Sequence, residues 1–478
     1  MSTVKKSLIL SFISKYSQLA ITFFSSIIIA RLLTPEEIGI YSVVAGIVVV
    51  AHMLRDFGVS SYIIKEVDFD DAKCSAAFFV TATLSWSAGA LLFFSATSLG
   101  DFFNREEVIP IVRLLAFNFL IIPFGSISLS LLRKKMDFNA LLVVNVASAA
   151  VNAVTTISLA YLGFSYMSLA YSSVAGTLMT VVLSSYYRQK VAYLLPQLVD
   201  IRNVFGFGSQ VSFTQMMNTS IAALPEILVG KYIGVTTVGL MSRAYGLTQL
   251  FHYGVTQAIL PVLLPDLVNK KSIGESEVQS RYLDTISFMC CIGWPFFIFL
   301  AFAGESLIIF LFGENWAPAS EFVVWFSAIA VINLTYNLSS ELFIALDKPK
   351  EMFNCRLIIN LISFLVMILS IQFGLLFFFV GLVFVRIFGL FITQYYLKKF
   401  CNLPVKLWLS ALQLPFILLI IVASSLLLLK YFIDVLAVSN LFILLINSIV
   451  FAISFTIVIL LTDSKFKKEI LKIIIKKN

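Results

Sequence analysis

Charged residues stand inside stretches that are otherwise apolar, among them Lys15, Glu226, Arg243 and Arg386. A charge at the centre of a membrane helix costs about 2.5 to 3.5 kcal/mol on insertion scales, so each is a functional candidate. The three cations are suited to anions. Arginine offers a planar fork for two phosphate or carboxylate oxygens, and lysine a mobile point charge. Structural alternatives stand beside these readings: snorkelling for Lys15, and pairing with a carboxylate or with backbone carbonyls for Arg386. Arg31 and Lys231 lie at helix ends, where they can simply anchor the chain. Glu226, with Asp56 and Glu341 near inward ends, are the acids to consider for proton or sodium coupling, although Lys231 beside Glu226 favours a salt bridge there. Tyr16, Tyr41, Tyr245 and Tyr336 have rings that suit sugars as well as helix packing. His52 and His252 lack neighbouring carboxylates, so they suit polar helix packing better than a metal site. Cys74, Cys290, Cys291, Cys355 and Cys401 show no CxxC spacing and read as packing residues. With no GxxxxGK[ST] loop and no GxSxG elbow, no catalytic residue, metal ligand or cofactor is assigned, and the energy source is expected to be an ion gradient or removal of product.

The elements that must position these residues are membrane helices. Apolar residues make up 60% of the chain and charged residues 13%, against about 25% charged in a soluble domain. Since about 20 apolar residues cross a bilayer core, the sequence predicts fourteen spans over 7–30, 38–54, 78–99, 108–132, 140–161, 166–187, 211–233, 235–264, 286–312, 322–345, 357–373, 375–396, 407–429 and 440–461. The fold class expected is thus all-α and polytopic, without a loop long enough for a soluble catalytic domain. The first span follows Lys5 and Lys6 as a signal peptide would, but its length and the thirteen spans after it make it a retained anchor. The net charge of +8 reports orientation rather than nucleic-acid binding. Against 26 Lys and Arg on inward ends and loops, only Arg31, Arg105, Arg113, Lys231 and Lys430 fall on outward ends, so both termini are expected in the cytoplasm.

An internal repeat recurs at an offset of 200 residues. IIARLLTPEEIGIYSVVAGI from Ile28 lies over LVGKYIGVTTVGLMSRAYGL from Leu228, pairing Arg31 with Lys231, Gly39 with Gly239, Ser42 with Ser242 and Gly46 with Gly246. Gln18 falls opposite Asn218, and LRKKMDFN from Leu132 pairs with LDKPKEMFN from Leu346. Both copies begin on an inward-to-outward helix, so they are parallel repeats, a design that places substrate between two lobes near the midplane. The expected divisions are a six-helix lobe over 1–190, a linker and second six-helix lobe over 191–400, and two further helices with a basic tail over 401–478. An interfacial helix is expected over 191–207, and the tail KFKKEILKIIIKKN is expected on anionic lipid.

IIARLLTPEEIGIYSVVAG followed by LRDFGVSSYII, then LLRKKMDF, VGKYIG and VGLMSRAYGL, together resemble Wzx-type oligosaccharide flippases of the polysaccharide-exporter branch of the MOP superfamily, over nearly the whole chain. The resemblance implies a bacterial inner-membrane protein that moves an undecaprenyl-pyrophosphate-linked sugar outward for O-antigen, capsule or exopolysaccharide assembly, by alternating access, with polysaccharide-assembly proteins as partners. Where such proteins often carry Asp or Asn in the seventh helix, this chain has Glu226 after Pro225. On that reading Lys15 and Arg243, each about 12 Å along its helix at 1.5 Å per residue, hold the pyrophosphate near the midplane. Arg386 contributes, and Arg31 with Lys231 serve the outward exit. Two other readings are weighed. A multidrug extruder of the same superfamily would favour acidic rather than basic groups at the midplane, and a polytopic sugar polymerase or ligase would resemble its kind in a large outward loop.

Overall fold

A computed structural model describes residues 3–56, 58–66, 70–187, 201–436 and 440–461. Among the described residues every regular element is helical. The chain packs as two units, Met1–Gly239 and Leu240–Asn478. The first holds α1 (Thr3–Leu32), α2 (Pro35–Asp56), α3 (Val59–Lys65), α4 (Asp71–Phe103), α5 (Val108–Ile121), α6 (Pro123–Lys134), α7 (Phe138–Tyr161), α8 (Met167–Tyr186), α9 (Ile201–Tyr232) and the first turn of α10 (Val235–Phe251). The second holds the rest of α10, a π-helical turn over His252–Thr256, α11 (Gln257–Lys271), α12 (Glu275–Phe312), a 3-10 segment over Glu314–Ala319, α13 (Ser320–Leu334), α14 (Ser339–Ala345), α15 (Pro349–Ile371), α16 (Leu375–Phe400), α17 (Val405–Ala411), α18 (Gln413–Leu436) and α19 (Asn440–Leu461).

Among the described residues eleven helical spans are long and apolar enough to cross a membrane, and α5 with α6, bent by 52°, makes a twelfth. Of the fourteen expected spans, the remaining two fall on α9 and α19. Asn218, Pro225 and Glu226 make α9 the more polar of this pair, and the described apolar part of α19 is Asn440–Thr456. The expected interfacial helix over 191–207 lies mostly outside the described residues, and from Ile201 onward the chain already belongs to α9. The tail from 462 is also outside them.

Several spans expected to be continuous are broken, each with a local cause. Pro123 has no N–H to donate to the Phe119 carbonyl, and Ser85 Oγ on α4 donates to that oxygen at 2.6 Å instead. Trp86 Nε1 serves Leu120 O in the same way at 3.3 Å. Backbone freed within a bilayer must find such partners. The break between α13 and α14 contains no proline. There Trp408 Nε1 donates to Thr335 O at 3.2 Å, and just before it Trp294 Nε1 donates to Val331 O at 2.9 Å. Pro261 follows the π turn of His252–Thr256, a deviation frequent at functional sites.

The turn that opens α2 is a capping box with proline at the first helical position. Glu37 Oε2 accepts from Thr34 N at 2.7 Å, and Glu37 N donates to Thr34 Oγ1 at 3.3 Å. Glu36 pairs with Arg105 at 2.8 Å, and Ser165 donates to Glu37. Asp137 caps α7 by accepting from Ala140 N at 3.1 Å. The five cysteines are free and buried.

Candidate functional site

In the first unit, α2 packs along α9 and α4, and glycines set how closely. A Cβ on Gly39 would come within 1.8 Å of the Val235 carbonyl oxygen, and one on Gly239 within 1.9 Å of the Pro35 carbonyl oxygen. Pro35 and Val235 are themselves a 200-residue pair, so the first turns of α2 and α10 cross as symmetric copies, backbone on backbone. Further along α2, a Cβ on Gly46 would stand 3.1 Å from Glu226 Oε2, and one on Gly230 would lie 2.6 Å from Val43. Glu226 thus rests against α2 in space that only glycine leaves. Lys231 lies over the Phe102 ring at 4.9 Å, a cation–π contact, and Arg31 is exposed. Lys15 is half-buried on α1, on the turn where Gln18 Nε2 donates to Ser14 O at 3.1 Å and to Ser14 Oγ at 3.2 Å. The Asp56 side chain is outside the described residues. His52 stacks on Phe119 at 4.5 Å.

The second unit contains Arg243, Arg386 and Glu341. Arg243 sits with its guanidinium 5.6 Å from the Trp316 ring centroid and 6.0 Å from that of Phe312, and its Nε is buried without a hydrogen-bond partner. Two aromatic faces therefore offset part of the cost of burying this cation. Arg386 opens onto a cavity of about 130 Å³, lined also by Tyr245, Gln249, His252, Asn333 and Asn337. The walls come from α10, the π turn, α12, α13 and α16. His252 shares a 3.0 Å hydrogen bond with Gln257, and Tyr245 leans on Phe326 with centroids 5.3 Å apart. Tyr336 is buried, interacts electrostatically with Arg386 and fills the space over Gly389, where a Cβ would stand 3.0 Å from its hydroxyl.

Of the residues singled out in the sequence, Arg386, Tyr245 and His252 are brought to one cavity. Lys15, Arg31, Glu226 and Lys231 belong to the first unit, and Arg243 lies on α10 among aromatic rings. The amides Gln249, Asn333 and Asn337 went unnoticed. In the sequence Asn333, Asn337 and Glu341 are spaced four apart, the spacing of one helical stripe, although the helix is interrupted at 335–338.

A family model described as "Polysaccharide biosynthesis protein" matches residues 28–321. Among curated relatives, the teichuronic acid biosynthesis protein TuaB of Bacillus subtilis is 23% identical over 62% of this chain and 62% of its own length. The lipopolysaccharide biosynthesis protein WzxC of Escherichia coli is 20% identical over 60% and 59%, and the succinoglycan biosynthesis transport protein ExoT of Rhizobium meliloti 25% identical over 66% and 64%. The matches therefore span somewhat under two thirds of these relatives. Among solved structures, the lipid II flippase MurJ in an inward closed conformation superposes with a TM-score of 0.74 at 15% identity, covering 98% of this chain and 99% of MurJ. An inward-facing multidrug resistance MATE transporter of the MOP superfamily superposes with 0.66 at 15% identity, covering 80% and 94%. These likenesses show the fold.

Proposed function

Since the chain belongs to the polysaccharide biosynthesis protein family, we propose that it translocates a lipid-linked oligosaccharide from the inner to the outer leaflet of the bacterial cytoplasmic membrane. The observation that carries this reading is the pairing of the family match with a multi-pass helical fold that holds cations within its apolar spans, Arg243 against two aromatic rings and Arg386 on a cavity. A polyprenyl pyrophosphate carries at least two negative charges that hydrocarbon does not solvate, so its passage needs cations and hydrogen-bond donors along the way. Lys15 and Arg243 take the pyrophosphate, Arg386 and the amides of its cavity assist, and Arg31 with Lys231 receive the head group at the outward side. The polyprenyl tail stays in lipid throughout. Because the lobes alternate, a ligand that binds one arrangement better biases the equilibrium toward it. Both termini face the cytoplasm, polysaccharide-assembly proteins take over the product, and the chain itself makes or breaks no bond. A proton or sodium gradient is the energy source, with Glu226, Asp56 and Glu341 as the acids available to sense it.

The test is export of surface polysaccharide in cells expressing Lys15→Ala, Arg243→Ala and Arg243→Lys at matched protein levels. Both alanine variants are expected to lose export and to accumulate lipid-linked sugar in the inner leaflet. Arg243→Lys is expected to retain part, because charge survives without the fork. Normal export by both alanine variants would overturn the site. Efflux of cationic dyes with no lipid-linked intermediate would overturn the substrate class.

A further inference from the structure

Native proteins leave few buried polar atoms without partners, and internal water is a common satisfier. In the second unit such atoms gather. Tyr282 Oη, Asn337 Oδ1, Glu341 Oε2 and both side-chain polar atoms of Gln394 are buried without a hydrogen-bond partner, and the Tyr336 hydroxyl beside them has Arg386 as its neighbour. The exposure of Tyr282 is 0% and that of Tyr336 is 1%, so bulk solvent does not wet them from outside.

Tyr282, Tyr336, Asn337 and Glu341 are related through shared neighbours. Asn337 lines the Arg386 cavity from the interruption before α14, and Glu341 follows four residues later, on α14. The Glu341 carboxylate interacts electrostatically with Tyr282 and with Arg356, and Arg356 Nη2 donates to Ser340 Oγ at 2.9 Å. Tyr336 is acted on by both Arg386 and Arg356. The series thus leads from the cavity toward the end of the unit where Lys271 pairs with Asp347. There Gln279 Nε2 donates to Cys401 O at 2.8 Å. It also follows the interruption between α13 and α14, and irregular backbone at membrane depth is tolerated where it is buried in protein or lines a wet cavity.

We propose that these groups line a chain of bound water running from the Arg386 cavity to the basic end of the second unit, and that Glu341 exchanges protons along it. Among the described residues of the series Glu341 is the sole carboxylate. The groups facing it and its neighbours from the surrounding elements are Tyr282 and Cys290 from α12, Arg356 and Cys355 from α15, Arg386 from α16, and Cys401. On α11, Asp266 is already paired with Arg281 and Lys271 with Asp347. A metal cation would need several oxygen ligands, and the series offers one carboxylate. Water, phenol and carboxyl groups pass a proton without that requirement. A proton arriving from the basic end moves onto a Glu341 oxygen and returns to a neighbouring water. The inference rests on the flippase reading for its orientation, with the basic end in the cytoplasm, and for the use made of the proton.

The experiment is hydroxyl-radical footprinting by X-ray radiolysis of the full chain in nanodiscs, which oxidises side chains beside bound water even when bulk solvent is excluded. Tyr282 and Tyr336 are expected to be labelled at rates comparable with exposed Tyr431, while Phe378, buried to the same degree against the Phe379 ring, stays unlabelled. Glu341→Leu or Asn337→Leu is expected to lower the labelling of Tyr282, with each variant's size-exclusion profile reporting its folding. In proteoliposomes with an internal pH dye, Glu341→Gln is expected to lose proton entry while Tyr282 remains labelled. Labelling of Tyr282 no faster than Phe378 would overturn the water chain, and unchanged proton entry in Glu341→Gln would overturn the role of Glu341. Neither readout uses the sugar substrate, so failure here leaves the flippase reading standing. Loss of export in Arg243→Ala bears on that reading alone.

Discussion

Arg243 shows how one charge is kept inside an apolar unit. No carboxylate among the described residues pairs with it. Its guanidinium has the faces of Trp316 and Phe312 instead. A desolvated cation–π contact is worth about 2 kcal/mol and an exposed one about 0.5 to 1. Trp316→Leu is therefore expected to lower the thermal midpoint in detergent by more in the native background than in Arg243→Met, where no cation remains. The double-mutant cycle separates that interaction from the cavity left by the lost ring. Equal losses in both backgrounds would show that the rings merely pack. Glu226 is a different case. Its carboxylate reaches into the space over Gly46, so Gly46→Ala is expected to displace it and to reduce export while leaving assembly intact, measured as folded protein in membranes. The motif in the sequence offered Lys231 as its neighbour, but Lys231 rests over Phe102.

Elements are set by how freed backbone is satisfied and by where glycine permits contact. At the α5–α6 bend, Ser85→Ala leaves the buried Phe119 carbonyl without its donor, at a cost of about 1 to 3 kcal/mol. In the double variant Ser85→Ala with Pro123→Ala, the new N–H at position 123 can reach that carbonyl, so part of the loss is expected to return. A double variant no more stable than Ser85→Ala would show that the bend is imposed by packing rather than by proline. The crossing of α2 with α10 is stricter. A Cβ at Gly39 or Gly239 meets main-chain atoms that no rotamer change can move. Either glycine changed to alanine is expected to force the two turns apart, with loss of export and a fall in thermal midpoint. Overpacking typically costs about 1 to 3 kcal/mol. Gly246→Ala is the control, because nothing lies within 4 Å of its added Cβ. If Gly246→Ala were as damaging as Gly39→Ala, the crossing would not be the cause.

For the whole molecule, the charge pattern carries one prediction independent of any substrate. Reporter fusions at 133–135 and at the C-terminus are expected to report cytoplasm, and one at Lys430 the outside. The opposite result would reverse every inward and outward assignment made above. The all-helical, multi-pass character followed from composition and span length alone, because a bilayer allows an exposed chain little besides helices and closed barrels. The repeat was legible as well, since glycines and basic residues at a turn recur for reasons that apolar bias does not supply. Which glycines touch was not legible. The pairing of Gly39 with Gly239 in the sequence says that two turns are alike, and only the packed chain brings them into contact. Nor did the apolar runs announce the interruptions at Pro123 and at Thr335 to Leu338, where Ser85, Trp86 and Trp408, remote in sequence, supply the missing donors. The candidate cations were visible one by one as costly charges in apolar stretches. That Arg386 shares a cavity with His252 and Asn333, and that Arg243 is enclosed by rings, was decided by tertiary structure, because burial and partnership depend on neighbours from other helices and not on spacing within one.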